Sequence, residues 1–230
     1  MNELELTGRA RTHVIELVEP ACLLHYAAVT SFLGMREAAA GAGIDLVAAS
    51  SFRDFDRQLT IWNRKWRGER PLYDRAGRAL DAAALSDEER VGAILNWSAV
   101  PGGSRHHWGS EIDVIDAAAT PAGYQVQLVP EEYAAGGPFA RLDAWLTRHM
   151  SEYGFYRPYA HDRGGAGFEP WHLSYYPVAS EAIESLTLPV LRRAIAGSEL
   201  LGKAQVLDRL PEIYTRFMVA VDPAPAVVHA

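Results

Sequence analysis

Between residues 21 and 66 the spacing of apolar positions changes twice. Leu24, Ala28, Phe32, Met35 and Ala39 recur at steps of three and four, which predicts a helix over 21–42. Gly41 and Gly43 close it, and the apolar run 44–49 reads as a short strand. A second helix is predicted from Asp54 to Trp66, with Phe55, Leu59, Trp62 and Trp66 as its buried stripe. Residues 67–86 mix Gly, Pro, Arg and Asp without a period and read as a long surface loop. Ser86 followed by Glu89 forms a capping box and opens a helix that runs to about Trp97. Residues 110–116 and 124–129 alternate in the manner of strands. Phe139, Leu142, Leu146 and Met150 mark another helix face. Short strands near Phe155 and over 172–176 precede helical patterns from about 179 to 202, and the proline-containing tail after Asp222 reads as loose. Few strands, irregularly interleaved with helices, predict an α+β fold with a small, mainly antiparallel sheet. One domain over 1–230 is expected, ending in a helical extension at about 179–222.

Composition narrows the function classes. The chain has 230 residues, 49% of them apolar and 22% charged, which is a globular balance able to bury a sizeable core. A net charge of −7 is the wrong sign for binding a phosphate backbone, so no nucleic-acid partner is expected. The single cysteine, Cys22, excludes an intramolecular disulfide and a multi-cysteine zinc site, and its apolar neighbours read as core. No apolar run reaches the roughly 18 residues of a membrane span. The first residues, with charges scattered among them, lack the apolar stretch of a secretory signal. A cytoplasmic protein is expected, or a periplasmic one if a leader has been removed.

Several catalytic signatures are missing, including Gly-x-Ser-x-Gly, Ser-x-x-Lys and His-Glu-x-x-His. Gly197, Gly202 and Lys203 imitate a phosphate loop, but Ala204 stands where a magnesium-binding hydroxyl is needed. The informative residues lie elsewhere. His106 and Asp113 are separated by a glycine turn and can fold back toward one point, and imidazole with carboxylate suits zinc. On spacing alone His107 is a rival to His106. Glu169 and His172 add a second nitrogen donor with a carboxylate three residues before it. Three ligands would leave a fourth position open, as in catalytic rather than structural zinc sites.

Together, Ser104-x-His106-x-x-Gly109-x-x-x-Asp113 and Glu169-x-x-His172 resemble the zinc D-alanyl-D-alanine carboxypeptidases of the VanY type. Relatives of these include D-Ala-D-Ala dipeptidases and L-alanyl-D-glutamate endopeptidases. Ser51-Phe52-Arg53 with Gln58 resembles a third family segment, Ser-x-Tyr-Arg-Ser-x-x-x-Gln, and the likeness spans residues 44–178. The resemblance implies a hedgehog/D-Ala-D-Ala-peptidase-like fold and one zinc ion held by His106, Asp113 and His172. It implies Glu169 as general base and Arg53 as the cation for a substrate carboxylate or oxyanion. Gln58 is expected to orient that corner, and Ser104 to support the ligand turn or touch substrate. Trp108 and Trp171 flank the ligands as either pocket wall or packing. The motif register favours His106 over His107. Two departures from the family stand out: Glu111 where a small residue is common, and Phe52 in place of Tyr. Neither is expected to touch a ligand. The implied activity is a D,D- or L,D-carboxypeptidase acting on peptidoglycan stem peptides, with soluble muropeptides of recycling as the favoured pool. A lysin-type endopeptidase is the first alternative, and a zinc-bearing binding module without catalysis the second.

Overall fold

The computed structural model describes residues 1–224, so most of the tail expected to be loose lies outside the described residues. Two elements precede the first predicted one: α1 (Glu3–Leu6), capped by Asn2, and β1 (Val14–Leu17). The predicted helix over 21–42 then splits. Residues Cys22–His25 form β2, antiparallel to β1, a 3-10 turn follows at Tyr26–Ala28, and the α-helix covers only Val29–Gly41, as α2. Leu24 and Ala28 are buried like Phe32, Met35 and Ala39, so the apolar spacing runs unbroken across the boundary and conceals it. Tertiary contact decides in favour of the strand. The His25 amide donates to the Gly109 carbonyl at 2.8 Å, and the Phe52 amide donates to the Leu23 carbonyl at 3.1 Å.

The chain continues through β3 (Leu46–Ser50) into α3 (Phe55–Trp66), whose N-terminus is capped by Asp54 accepting from the Arg57 amide. Residues 67–86 are not a structureless loop. They hold a two-residue hairpin of β4 (Leu72–Tyr73) and β5 (Ala79–Leu80) and a turn of 3-10 helix. Asp74 closes that hairpin by accepting from the amides of Ala76 and Arg78, while buried Leu72 ties it to the core. The capping box of Ser86 and Glu89 opens α4 (Asp87–Leu95) as its sequence requires. A buried 3-10 turn, Arg105–Trp108, leads into β6 (Glu111–Asp116).

The predicted strand at 124–129 does not form. The Glu132 carboxylate accepts from the amides of Gln127 and Val129 and from the Tyr124 hydroxyl, which gives that backbone partners outside any sheet. Glu132 sits in α5 (Pro130–Tyr133), followed by α6 (Ala140–His149), β7 (Phe155–Tyr156) and β8 (His172–Tyr175). The last described elements are α7 (Tyr176–Ser185), α8 (Leu188–Ala196), α9 (Lys203–Asp208), α10 (Leu210–Ile213) and a π-helical turn at Tyr214–Val219. The phosphate-loop imitation is part of this helical stretch. Lys203 donates to the carbonyls of Ser198 and Ala196 and so satisfies the end of α8.

The main sheet is antiparallel in the order β3-β6-β8-β7, and the fold is α+β. One face of the sheet packs Leu46, Ile112, Val114 and Leu173 against α2 and α6, with Phe32, Met35, Leu142 and Leu146 in the same apolar cluster. A second cluster joins Trp62 of α3 and Ile94 of α4 to Leu191, Val206, Leu210 and Phe217. The Trp62 indole donates to the Leu201 carbonyl at 3.0 Å. The C-terminal helices therefore brace α3, which carries the Gln58 side of the site described next. Cys22 is free and buried, and burial pushes its thiol up to about 11, as fits a core residue. Among the described residues no helix is long and apolar enough to cross a membrane.

Candidate active site

Strand parity builds the site. In β6, Glu111 and Asp113 point to one face while Ile112 and Val114 point to the core. In β8, His172 and Ser174 share that polar face, because the register pairs Asp113 with His172 and Glu111 with Ser174. Ser50 of β3 lies opposite Asp113 on the other side. The 3-10 turn then delivers His106. Gly109 ends that turn at φ 67°, a region that strains any side-chain-bearing residue. A Cβ there would also lie 2.7 Å from the His25 amide nitrogen, so β2 can approach only because residue 109 is glycine.

His106, Asp113 and His172 each offer one donor atom, and these atoms lie within 4.8 Å of one another. His106 Nε2 is 3.4 Å from Asp113 Oδ2, and His172 Nδ1 is 3.0 Å from Asp113 Oδ1. The remote nitrogen of each ring is occupied. The Ser51 carbonyl lies 2.9 Å from His106 Nδ1, and Glu111 Oε2 lies 2.8 Å from His172 Nε2. Two imidazoles with tethered backs and converging front nitrogens, joined by a carboxylate, form a donor set suited to a divalent metal. Burial disfavours the charged form of Asp113, yet its two histidine neighbours outweigh this and hold it well below the carboxylate range. Burial likewise opposes charge on His172, but the hydrogen bonds to Asp113 and Glu111 prevail and raise it to about 10.

The rival histidine is excluded by its bonds. His107 Nε2 accepts from the Gly102 amide at 3.0 Å, so Nδ1 carries the proton and donates to the Arg53 carbonyl at 2.5 Å. Burial pushes it down to about 3. No nitrogen of His107 is left for a metal, and its task is to join the ligand turn to the start of α3.

Glu169 stands beside the cluster, its Oε2 3.7 Å from His172 Nδ1, with 15% of the side chain exposed. Burial raises its carboxyl to about 7 against the opposing charges of His172 and Arg53. A carboxylate so poised can accept a proton near neutral pH and remains within reach of water. Arg53 enters from the β3–α3 junction. Its Nη1 donates to Gln58 Oε1 at 2.7 Å and its Nη2 to Ser50 Oγ at 3.3 Å, while Gln58 is held by the Ala99 carbonyl. Its buried Nε has no hydrogen-bond partner, and it makes no ion pair among the described residues. Burial depresses its pKa, opposed by the charges of Asp113 and Glu169.

The other predicted residues fare differently. Ser104 is buried at the head of the 3-10 turn, where its carbonyl accepts from the His107 amide at 3.0 Å, so it supports the turn. Trp171 is 5% exposed and packs on Tyr133 at 5.8 Å between ring centroids, inside the sheet's apolar cluster. Trp108 is fully buried beneath the Arg105 guanidinium. Phe52 packs edge-on against His13. Glu111 overturns its expectation, since it bonds directly to His172. The alternation of β6 carried the signal: positions 111 and 113 share a face, so a carboxylate at 111 must look where Asp113 looks.

Three converging donors with a carboxylate and an unpaired guanidinium beside them are the arrangement of a metallohydrolase. Comparison with known proteins gives the family. The model of the VanY D-alanyl-D-alanine carboxypeptidase family matches residues 21–178, more than half of the chain. An uncharacterized protein of Haemophilus influenzae is 35% identical over 118 residues, covering 50% of this chain and 90% of that one. The structure of VanYB in complex with D-alanine-D-alanine is similar with a TM-score of 0.52 at 18% identity, covering 81% of this chain and 89% of that chain. A Zn(II) complex of a vancomycin-resistance VanY D,D-pentapeptidase mutant is similar with a TM-score of 0.51 at 19% identity, covering 84% and 88%. The chain belongs to the VanY D-alanyl-D-alanine carboxypeptidase family, and it is a peptidoglycan-hydrolysing enzyme of the metallopeptidase type.

Proposed function

We propose that the enzyme is a zinc-dependent carboxypeptidase that releases a C-terminal D-Ala from peptidoglycan stem peptides. His106, Asp113 and His172 would hold one zinc ion, which when bound supplies a Lewis acid and a water nucleophile at neutral pH. Glu169 takes the proton of the attacking water and returns it to the leaving amine, a role suited to a carboxyl raised to about 7. Arg53 meets the substrate's terminal carboxylate, while Gln58 and Ser50 fix the plane of its guanidinium. The reading rests on Arg53 above all. A buried guanidinium with an unused Nε–H and no carboxylate at ion-pair distance among the described residues is free to take one more acceptor, and a peptide ending in a free carboxylate would bring it.

The test compares free-acid and C-terminally amidated tetra- and pentapeptide stems. Loss of a charge-assisted hydrogen bond costs about 1.5–3 kcal/mol, so amidation should lower kcat/KM roughly ten- to a hundred-fold. Arg53→Lys should lose much of that discrimination, because an ammonium lacks the planar fork. Equal cleavage of free and amidated ends by the wild type rejects the carboxypeptidase reading and leaves an endopeptidase. The same assay decides between D,D and L,D cleavage.

Zinc uptake should also release a proton. With its pKa raised to about 10, His172 carries a proton on each nitrogen in the metal-free protein at pH 7. A metal ligand must be neutral, so the Nδ1 proton leaves on binding. Affinity should therefore rise about tenfold per pH unit below the pKa of His172 and flatten above it. Calorimetry in two buffers of different ionisation enthalpy measures this. A binding enthalpy that ignores the buffer contradicts it.

A further inference from the structure

We infer that Glu111 is a positioning residue that acts through His172: its carboxylate holds the Nε2 proton and thereby presents Nδ1 as the metal donor. The inference rests on the zinc reading above and concerns a residue which that reading does not use.

The carboxylate is fully buried and all its partners are polar side chains. Oε1 accepts from Ser174 Oγ at 2.7 Å and from Ser110 Oγ at 2.9 Å, while Oε2 faces His172 Nε2 at 2.8 Å. Arg105 approaches both oxygens from behind, at 3.3 Å from Nε and 3.5 Å from Nη2. The same Nη2 lies 2.9 Å from Ser174 Oγ and 3.1 Å from the Tyr156 hydroxyl. Had Glu111 been buried only to pair with Arg105, its shortest contacts would run to the guanidinium. They run instead to the serines and to the ring of His172. Arg105 balances the charge, the serines set the orientation, and the remaining lone pair is spent on the histidine.

The two ligand histidines are thus anchored by unlike groups. His106 leans on a neutral backbone carbonyl of Ser51, and His172 leans on a carboxylate. A carboxylate behind an imidazole locks the tautomer and strengthens the metal-facing nitrogen as a donor. An apolar residue at position 111 would leave a buried N–H of His172 without an acceptor. Sheet register makes the contact available, because Glu111 pairs with Ser174 two residues along from the Asp113–His172 pair, on the same face.

The experiment measures zinc affinity by competition with a chromogenic chelator in wild type, Glu111→Gln and the double variant Arg105→Met/Glu111→Gln. The double variant removes both buried charges together, so that a folded protein remains if the single change leaves Arg105 intolerably unpaired. Circular dichroism reports the fold of each. Weakening of zinc binding by about 10–100-fold in a folded variant is the expected result. Affinity within threefold of wild type in either folded variant overturns the inference and reduces Glu111 to half of a buried ion pair. The wild type supplies a readout independent of folding. In zinc-loaded protein with 15N-labelled histidine, His172 should carry its proton on Nε2 and none on Nδ1, and the reverse overturns the inference. A wild type that binds no zinc instead overturns the metallopeptidase site itself, so the two failures are distinguishable.

Discussion

Glu169→Gln is expected to leave zinc bound and to lower kcat by about 10²–10⁴-fold, with a much smaller change in KM. The amide has nearly the shape of the carboxylate, so the space beside His172 stays filled. It cannot accept a proton from the attacking water, and that loss falls on the transition state alone. The position of Glu169 makes the separation clean. It is not among the three residues whose donor atoms converge, and its raised carboxyl shows an environment that resists charge rather than one built to bind a cation tightly. Metal analysis and steady-state kinetics on one preparation check both halves. Loss of zinc in the variant would make Glu169 a ligand, and near-normal turnover would remove it from the chemistry.

The second large effect distinguishes two adjacent histidines. His106→Ala or His172→Ala removes one donor of three. Structural zinc sites of four ligands are worth about 10–16 kcal/mol, so one ligand carries about 3 kcal/mol and its loss weakens binding by more than about a hundredfold. His107→Ala retains zinc but destabilises the protein. It leaves the Gly102 amide and the Arg53 carbonyl without their partner in a buried place, at about 1–3 kcal/mol for each unsatisfied group. Chelator competition and thermal melts should thus give opposite patterns, with affinity lost and the fold kept for His106, and affinity kept with a lower Tm for His107. Zinc lost with His107→Ala but retained with His106→Ala would reverse the assignment.

Motif spacing makes much of this site readable in the sequence. Ser104, His106, Gly109 and Asp113 share one short stretch, so a single turn and strand determine where they lie relative to one another. Helices α3, α4 and α6 were equally legible, because their apolar stripes, their caps at Asp54 and Ser86, and their ends all agree. The failures share a cause. A four-residue step between Leu24 and Ala28 is compatible with one helix or with a strand turning into a helix, and only the bonds of His25 to Gly109 and of Phe52 to Leu23 select the strand. The alternation at 124–129 lost its sheet to one carboxylate, Glu132, which reached the backbone first.

Local chemistry in the chain was enough to determine which residue types meet, because a glycine turn, strand alternation and helix caps act over a few residues. Only the tertiary structure decided which nitrogen of each histidine is free, that Trp171 joins the apolar cluster of the sheet, and that Glu111 stands behind His172. Those facts depend on pairing β6 with β8, strands 61 positions apart at the Glu111–His172 contact. Register between such distant segments is set by burying Ile112, Val114 and Leu173 on the opposite face of the sheet, a constraint of the packed core that no short stretch of sequence contains.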